Sequence, residues 1–171
     1  MNELMTISKA LEIASIAHSG QTDLGGNEYI LHPLEVWYKV RNECKDTQIV
    51  AILHDVVEDS NYTIPDLVKL GLSLVATQAL ELMTHDKTEL KKFLKSVEAY
   101  KHDAIKEAEY LEYVVKISKN PIARKVKMAD IEHNSCIHRI PVARLSDPKK
   151  TGERLVKYAR AMEILKKAGN V

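Results

Sequence analysis

Histidine next to aspartate occurs three times in this chain, as His54-Asp55, His85-Asp86 and His102-Asp103. An imidazole beside a carboxylate can hold a cation or pass a proton, but the dipeptide alone says little. Its surroundings discriminate. Ile49, Ile52, Leu53, Val56 and Val57 fall at i, i+3, i+4, i+7 and i+8, the spacing of one buried helical face, and only His54-Asp55 lies inside such a frame. Glu58 follows His54 by one turn and Asp59 follows Asp55 by one turn, so a continuous helix would carry four titratable groups on two adjoining strips. Three carboxylates this close repel one another, and a bound cation relieves that repulsion. An exposed acidic face with an incidental histidine is the alternative. The other two pairs lie in a charged stretch and are predicted to be surface pairs.

A metal centre needs more donors than one helix supplies, and transition ions accept imidazole and carboxylate together. His32 stands where a loop meets a helix, its direction set by Pro33. Asp130 lies in the segment RKVKMADIEHNS, where Lys127, Asp130 and Asn134 are spaced i, i+3 and i+7 and share a face. An aspartate beside Met128 and Ala129 requires a partner. A salt bridge to Lys127 or Arg124 would serve as well as a metal. His133 is predicted to be an ordinary half-buried histidine, and His18 a C-terminal cap of the first helix.

The elements that must position these groups are helical nearly throughout. Ile7, Ala10, Leu11, Ala14 and Ala17 mark a first helix beginning near Thr6 or Ser8, and Gly20 ends it. Gly25, Gly26 and Asn27 mark a loop reaching to Leu31. Pro33 then suits the first turn of a second helix, and Pro65 and Gly71 bracket a short one. Residues 72–83 continue helically. The stretch from Thr84 to Lys106 is rich in charge and poor in apolar residues, and is predicted to be a solvated helix or a partly ordered flap. A helix resumes from Ala108 to Ser118, Pro121 starts the next, Pro141 and Pro148 bracket a loop, and Leu155 to Leu165 carry a last amphipathic helix. No alternating strand pattern appears. The expectation is an all-α fold, one domain over 1–171.

The totals exclude some classes. A net charge of +1 gives no global pull toward nucleic acid or an anionic membrane, so an anionic ligand must be held by local groups. The longest apolar runs are too short to span a bilayer. The first residues do not read as a secretory signal. Cys44 and Cys136 lack paired spacing and read as reduced thiols of a cytoplasmic protein.

The order His32, His54-Asp55, Asp130 resembles the HD-domain phosphohydrolase superfamily, an all-α fold. The words AHSGQ, YILHPLEV, AILHDVVEDS and VKMADIEHN, in order from His18 to Asn134, narrow it. They resemble the alarmone-hydrolase branch, which comprises the hydrolase half of Rel and SpoT enzymes and the small alarmone hydrolases. That resemblance implies a metal, Mn²⁺, on His32, His54, Asp55 and Asp130. It implies that Glu58 and Asp59 position and activate the attacking water, and that Asn134, Lys127 and Tyr29 meet or shape the place of the substrate. The substrate implied is a small phosphorylated nucleotide of the (p)ppGpp kind, losing its 3′-pyrophosphate. At 171 residues no room is expected for the synthetase half, so pyrophosphokinase activity is not.

The chain departs from the branch at Thr22-Asp23, where its members commonly carry Arg-Lys to grip the base. Two cations are lost and an anion gained, which should weaken that grip. The departure keeps open an HD nucleotidase or phosphatase acting on other nucleotides, adenine alarmones and NADPH included. A non-catalytic nucleotide-sensing HD module is a further alternative.

Overall fold

A computed structural model describes residues 3–141 and 147–169. The helices are α1 (Ile7–Ala17), α2 (Leu31–Lys39), α3 (Lys45–Leu53), α4 (Val56–Asp59), α5 (Ile64–Lys69), α6 (Leu74–Met83), α7 (Thr88–Leu94), α8 (His102–Ser118), α9 (Pro121–Ser135) and α10 (Pro148–Gly169). Among the described residues the one β feature is an isolated bridge between Thr22 and Glu28, so the all-α expectation holds.

Local chemistry sets several helix starts. Thr6 caps α1 by accepting the Lys9 N–H. Thr63 and Asp66 form a reciprocal capping box at α5. Asn120 accepts two backbone N–H groups ahead of Pro121, which needs no partner at the first position of α9. Gly71, at φ +96°, makes the turn between α5 and α6 in a conformation that favours glycine.

The core is aliphatic and centred on α3. Ile49, Val50, Ala51, Ile52 and Leu53 are all buried there, and α3 packs against α1, α2, α6 and α9. Helices α8 and α10 pair with each other and against α9. With α3 enclosed on several sides, its C-terminal end opens inside the molecule, where His54 follows.

Two expectations need correction, and a third lies outside the described residues. The frame from Ile49 to Val57 is not one helix: α3 stops at Leu53, His54-Asp55 form the turn, and α4 restarts at Val56. The heptad-like spacing survives because both pieces bury the same side, Val56 included. The stretch from Thr84 to Lys106 is not merely solvated: it contains α7, with Leu94 buried, and α8 begins at His102 rather than at Ala108. The predicted loop between Pro141 and Pro148 falls on residues 142–146, outside the described residues.

Candidate active site

The break between α3 and α4 turns His54 inward. Its Nδ1–H donates to the Ala51 carbonyl at 2.8 Å, which leaves the Nε2 lone pair free to point at the site. His32, in the first turn of α2, arrives from the other side, with Nε2 3.2 Å from that of His54. Asp130 of α9 places Oδ1 3.3 Å from His32 Nε2 and 3.9 Å from His54 Nε2. Asp55 places Oδ2 3.4 and 3.2 Å from the same two nitrogens. The two histidines and Asp130 are buried. The chain thus gathers all four residues expected to hold metal, from three separate elements.

Their spacing fits an ion. Donors bound at about 2.0–2.2 Å around a tetrahedral or octahedral centre stand about 3.0–3.5 Å from their neighbours. His32, His54 and Asp130 offer ligand atoms that all lie within 4.8 Å of one another, and Asp55 adds a carboxylate within that reach of both rings. Two imidazoles with two carboxylates suit a divalent transition ion. Without an ion the same groups hold protons. Burial opposes charging His32, but Asp130 and Asp55 outweigh it and raise its pKa to about 9. Burial opposes ionising Asp130 as well, yet Lys127 and His32 hold it well below the usual carboxylate range.

A second layer fixes these donors. The Tyr29 hydroxyl donates to Asp55 Oδ2 at 2.7 Å. Lys127 Nζ donates to Asp130 Oδ2 at 2.8 Å and Asn134 Nδ2 to Oδ1 at 2.5 Å, so the face predicted for Lys127, Asp130 and Asn134 exists. The salt bridge offered as the alternative to a metal therefore coexists with the donor cluster. His133 is more than an ordinary histidine. Its Nδ1 lies 2.6 Å from His32 Nδ1, with the rings stacked at 4.8 Å. Burial, then the charges of His32 and Arg139, lower its pKa to about 4. A neutral His133 accepts the His32 Nδ1–H and leaves Nε2 for the site. His18 does occupy the C-cap of α1, and its ring meets Gln21 Oε1 at 2.9 Å.

Glu58 and Asp59, at the end of α4, line a cavity of about 520 Å³ together with Asp55 and Asp130. Burial, then the charge of Asp55, raise the pKa of Asp59. Glu58 Oε1 accepts the backbone N–H of His85 at 2.8 Å, and Lys87 Nζ stands 3.6 Å from Oε2. His85, predicted to be at the surface, lies against α8, stacked on Tyr113 at 4.1 Å. Lys87, Lys91, Lys106, Lys127 and Lys157 all line this cavity. Of these, sequence reasoning singled out Lys127; the others stand on the α6–α7 connection, α7, α8 and α10, which meet at the cavity only through packing.

Thr22-Asp23 reads differently in three dimensions. Asp23 is paired with Arg139 at 2.5 Å, and Arg139 also donates to Asn134 Oδ1 at 3.0 Å. Burial opposes ionising Asp23, but the Asn27 backbone N–H and Arg139 lower its pKa. The added anion is therefore neutralised, and it brings a cation from far downstream to the rim of a second cavity of about 310 Å³ bordered by Tyr29 and His32.

No protein-family model matches the chain. Among curated proteins, the GTP pyrophosphokinase of Streptomyces coelicolor is 32% identical over 158 residues, covering 91% of this chain and 17% of that protein. The guanosine-3′,5′-bis(diphosphate) 3′-pyrophosphohydrolase of Borreliella burgdorferi is 43% identical over 70 residues, covering 39% of this chain and 10% of that protein. The bifunctional (p)ppGpp synthase/hydrolase SpoT of Escherichia coli is 36% identical over 72 residues, covering 40% and 10%. This chain thus spans less than a fifth of the length of these relatives. A solved structure of a metazoan SpoT ortholog, described as hydrolysing ppGpp, superposes with a TM-score of 0.60 at 19% identity, over 99% of this chain and 97% of that one. The fold is shared along its whole length.

Proposed function

This chain belongs to the Rel/SpoT hydrolase-domain branch of the HD superfamily, and from that premise we infer that it is a metal-dependent phosphohydrolase removing the 3′-pyrophosphate from a (p)ppGpp-like alarmone. The observation that carries this reading is one cavity lined both by Asp55 and Asp130 of the His/Asp cluster and by five lysines. Five carboxylates, Asp55, Glu58, Asp59, Glu109 and Asp130, line it too, so a cation bound among the aspartates would leave the lysines in excess, which suits a ligand with several phosphates.

An ion on His32, His54, Asp55 and Asp130, with Mn²⁺ the proposed species, would supply Lewis acidity toward a phosphate oxygen and lower the pKa of a water. Asp59, whose pKa is raised by burial and by Asp55, is the base for that water. Glu58 orients it from the adjacent position. Lys127, buried and held charged by Asp130, stands as a fixed cation facing the transferred phosphate. Tyr29 keeps Asp55 in place, and Asn134 keeps Asp130 in place while one amide N–H remains for substrate. The pocket for a small nucleotide, the uncharged balance overall and two free cysteines fit a cytoplasmic enzyme with no nucleic-acid or membrane partner.

The Asp23–Arg139 pair favours a second reading, in which the same chemistry acts on a different nucleotide such as an adenine alarmone or NADPH. Turnover of guanosine and adenosine alarmones, nucleoside monophosphates and NADPH with Mn²⁺, products identified, separates the two. Release of pyrophosphate from the guanosine alarmone is expected. Asp55→Asn and Asp130→Asn should lose metal and turnover together, whereas Asp59→Asn should keep metal and lose turnover about 10²–10⁴-fold, and Glu58→Gln should keep metal and lose turnover. An Asp55→Asn protein as active as the parent on every nucleotide would sink the mechanism.

A further inference from the structure

We propose that His85, oriented by Glu109, is the general acid that protonates the leaving oxygen. The proposal rests on the hydrolase reading above. That reaction expels a ribose 3′-oxygen, an alkoxide, and an alkoxide leaves poorly unless a proton reaches it as the bond breaks. The groups already described supply a base and fixed positive charge, but no proton donor.

Four other groups in the cavity are poor donors, which leaves Lys157, its pKa lowered by burial, as the rival to His85. Lys127 is buried against Asp130 and held charged well above the ordinary lysine range. The Tyr29 hydroxyl is committed to Asp55 and that of Tyr113 to the Met83 carbonyl. Burial pushes the Tyr110 phenol up to about 12. Imidazole is the side chain that exchanges protons near neutrality.

His85 has the arrangement such a donor needs. It lines the cavity that contains Asp55, Asp59 and Asp130. Its Nε2 meets Glu109 Oε1 at 2.5 Å, a carboxylate that fixes the orientation of the ring. Tyr113 stacks on one face. Its Nδ1 makes no hydrogen bond among the described residues. The charged groups around it are Glu109 on α8, Glu58 through the His85 backbone N–H, and Asp86 and Lys87 on its own segment. Asp59 neighbours Tyr29 and Gln21, whereas His85 neighbours Tyr113 and Glu109. A phosphorus bound between Asp59 and the His85 ring would meet a base and an acid, as in-line displacement requires.

The step balances. Water oxygen bonds to phosphorus as Asp59 takes a water proton. The bond from phosphorus to O3′ breaks, its electron pair stays on O3′, and O3′ takes the ring proton of His85. The products are pyrophosphate and a nucleoside with a free 3′-hydroxyl, and the proton on Asp59 returns through solvent to His85. No redox partner is needed.

The test compares guanosine 5′-diphosphate 3′-diphosphate with its analogue bridged by 3′-sulfur, whose thiolate leaves without a proton. In Mn²⁺-loaded enzyme, His85→Gln should lose about 10²–10⁴-fold in kcat on the oxygen ester and less than about tenfold on the sulfur ester. Glu109→Gln, a positioning change, should show a smaller split of the same sense, with melting temperature and metal content as folding controls. Equal losses on both esters would make His85 a structural latch and overturn the proposal. A split absent in His85→Gln but present in Lys157→Met would move the role to Lys157 and overturn it too. If the parent enzyme cleaves only a different phosphate ester, the alarmone reading fails, and the same oxygen–sulfur comparison on that ester still decides His85. No turnover of any ester would overturn both.

Discussion

At the scale of single residues, the site is a set of donors competing for protons and for an ion. His32 in the ion-free protein has a pKa raised to about 9 from the ordinary 6.5, because Asp130 and Asp55 outweigh its burial. A raised histidine pKa stabilises the folded state fully below about 6.5, and that contribution disappears as pH rises through about 9. An ion must displace the same proton, so its apparent affinity rises across this window, up to about tenfold per pH unit for one proton. The increase in melting temperature on adding Mn²⁺ is therefore expected to be larger at pH 9 than at pH 6.5. A metal-induced shift that is flat or shrinks over that range would show that His32 does not face the ion.

At the scale of elements, the sequence displays periodicity well and interruptions poorly. The starts of α1, α5 and α9 are legible from Thr6, Thr63-Pro65 and Asn120-Pro121, because capping is local chemistry. The break at His54-Asp55 is not legible, since Val56 and Val57 continue the apolar spacing of Ile49, Ile52 and Leu53. The four proposed donors are legible because they lie in recognisable blocks. Glu109, Arg139 and Lys157 are not, because what matters about them is which distant element they face. His85 was misplaced for the same reason: its segment is charged, and only packing against α8 buries its ring. Gly71 tests a legible element. A Cβ there would stand 2.2 Å from the Glu3 carbonyl oxygen, at a φ of +96° that already disfavours side chains. Gly20 shares the positive φ, at +75°, but a Cβ there would meet nothing within 4 Å. Gly71→Ala should therefore cost more stability than Gly20→Ala, which pays only the backbone strain of order 1 kcal/mol. Urea midpoints of the two variants measure the difference, and equal midpoints would mean that the segment at Glu3 yields freely.

At the scale of the whole molecule, charge is sorted rather than accumulated. The chain has 25 basic and 24 acidic residues, and one cavity beside the His/Asp cluster gathers five lysines and five carboxylates, the carboxylates including the aspartates proposed to hold the cation. A net charge of +1 gives little long-range steering, so selectivity for anions must come from this local field and should grow with the number of phosphates that fit within it. At about 520 Å³ the cavity is within the range for small-molecule sites. Phosphate, pyrophosphate and tripolyphosphate should accordingly inhibit hydrolysis with successively lower inhibition constants. The double variant Lys87→Met, Lys157→Met should flatten that series, since it removes charge from two walls, the α6–α7 connection and α10, while leaving the His/Asp cluster in place. Inhibition constants measured at fixed Mn²⁺ and ionic strength decide it. Equal potency of the three anions on the parent enzyme would mean that the lysines act on something other than a chain of phosphates. A graded series that the double variant leaves unchanged would instead assign the field to Lys91, Lys106 and Lys127.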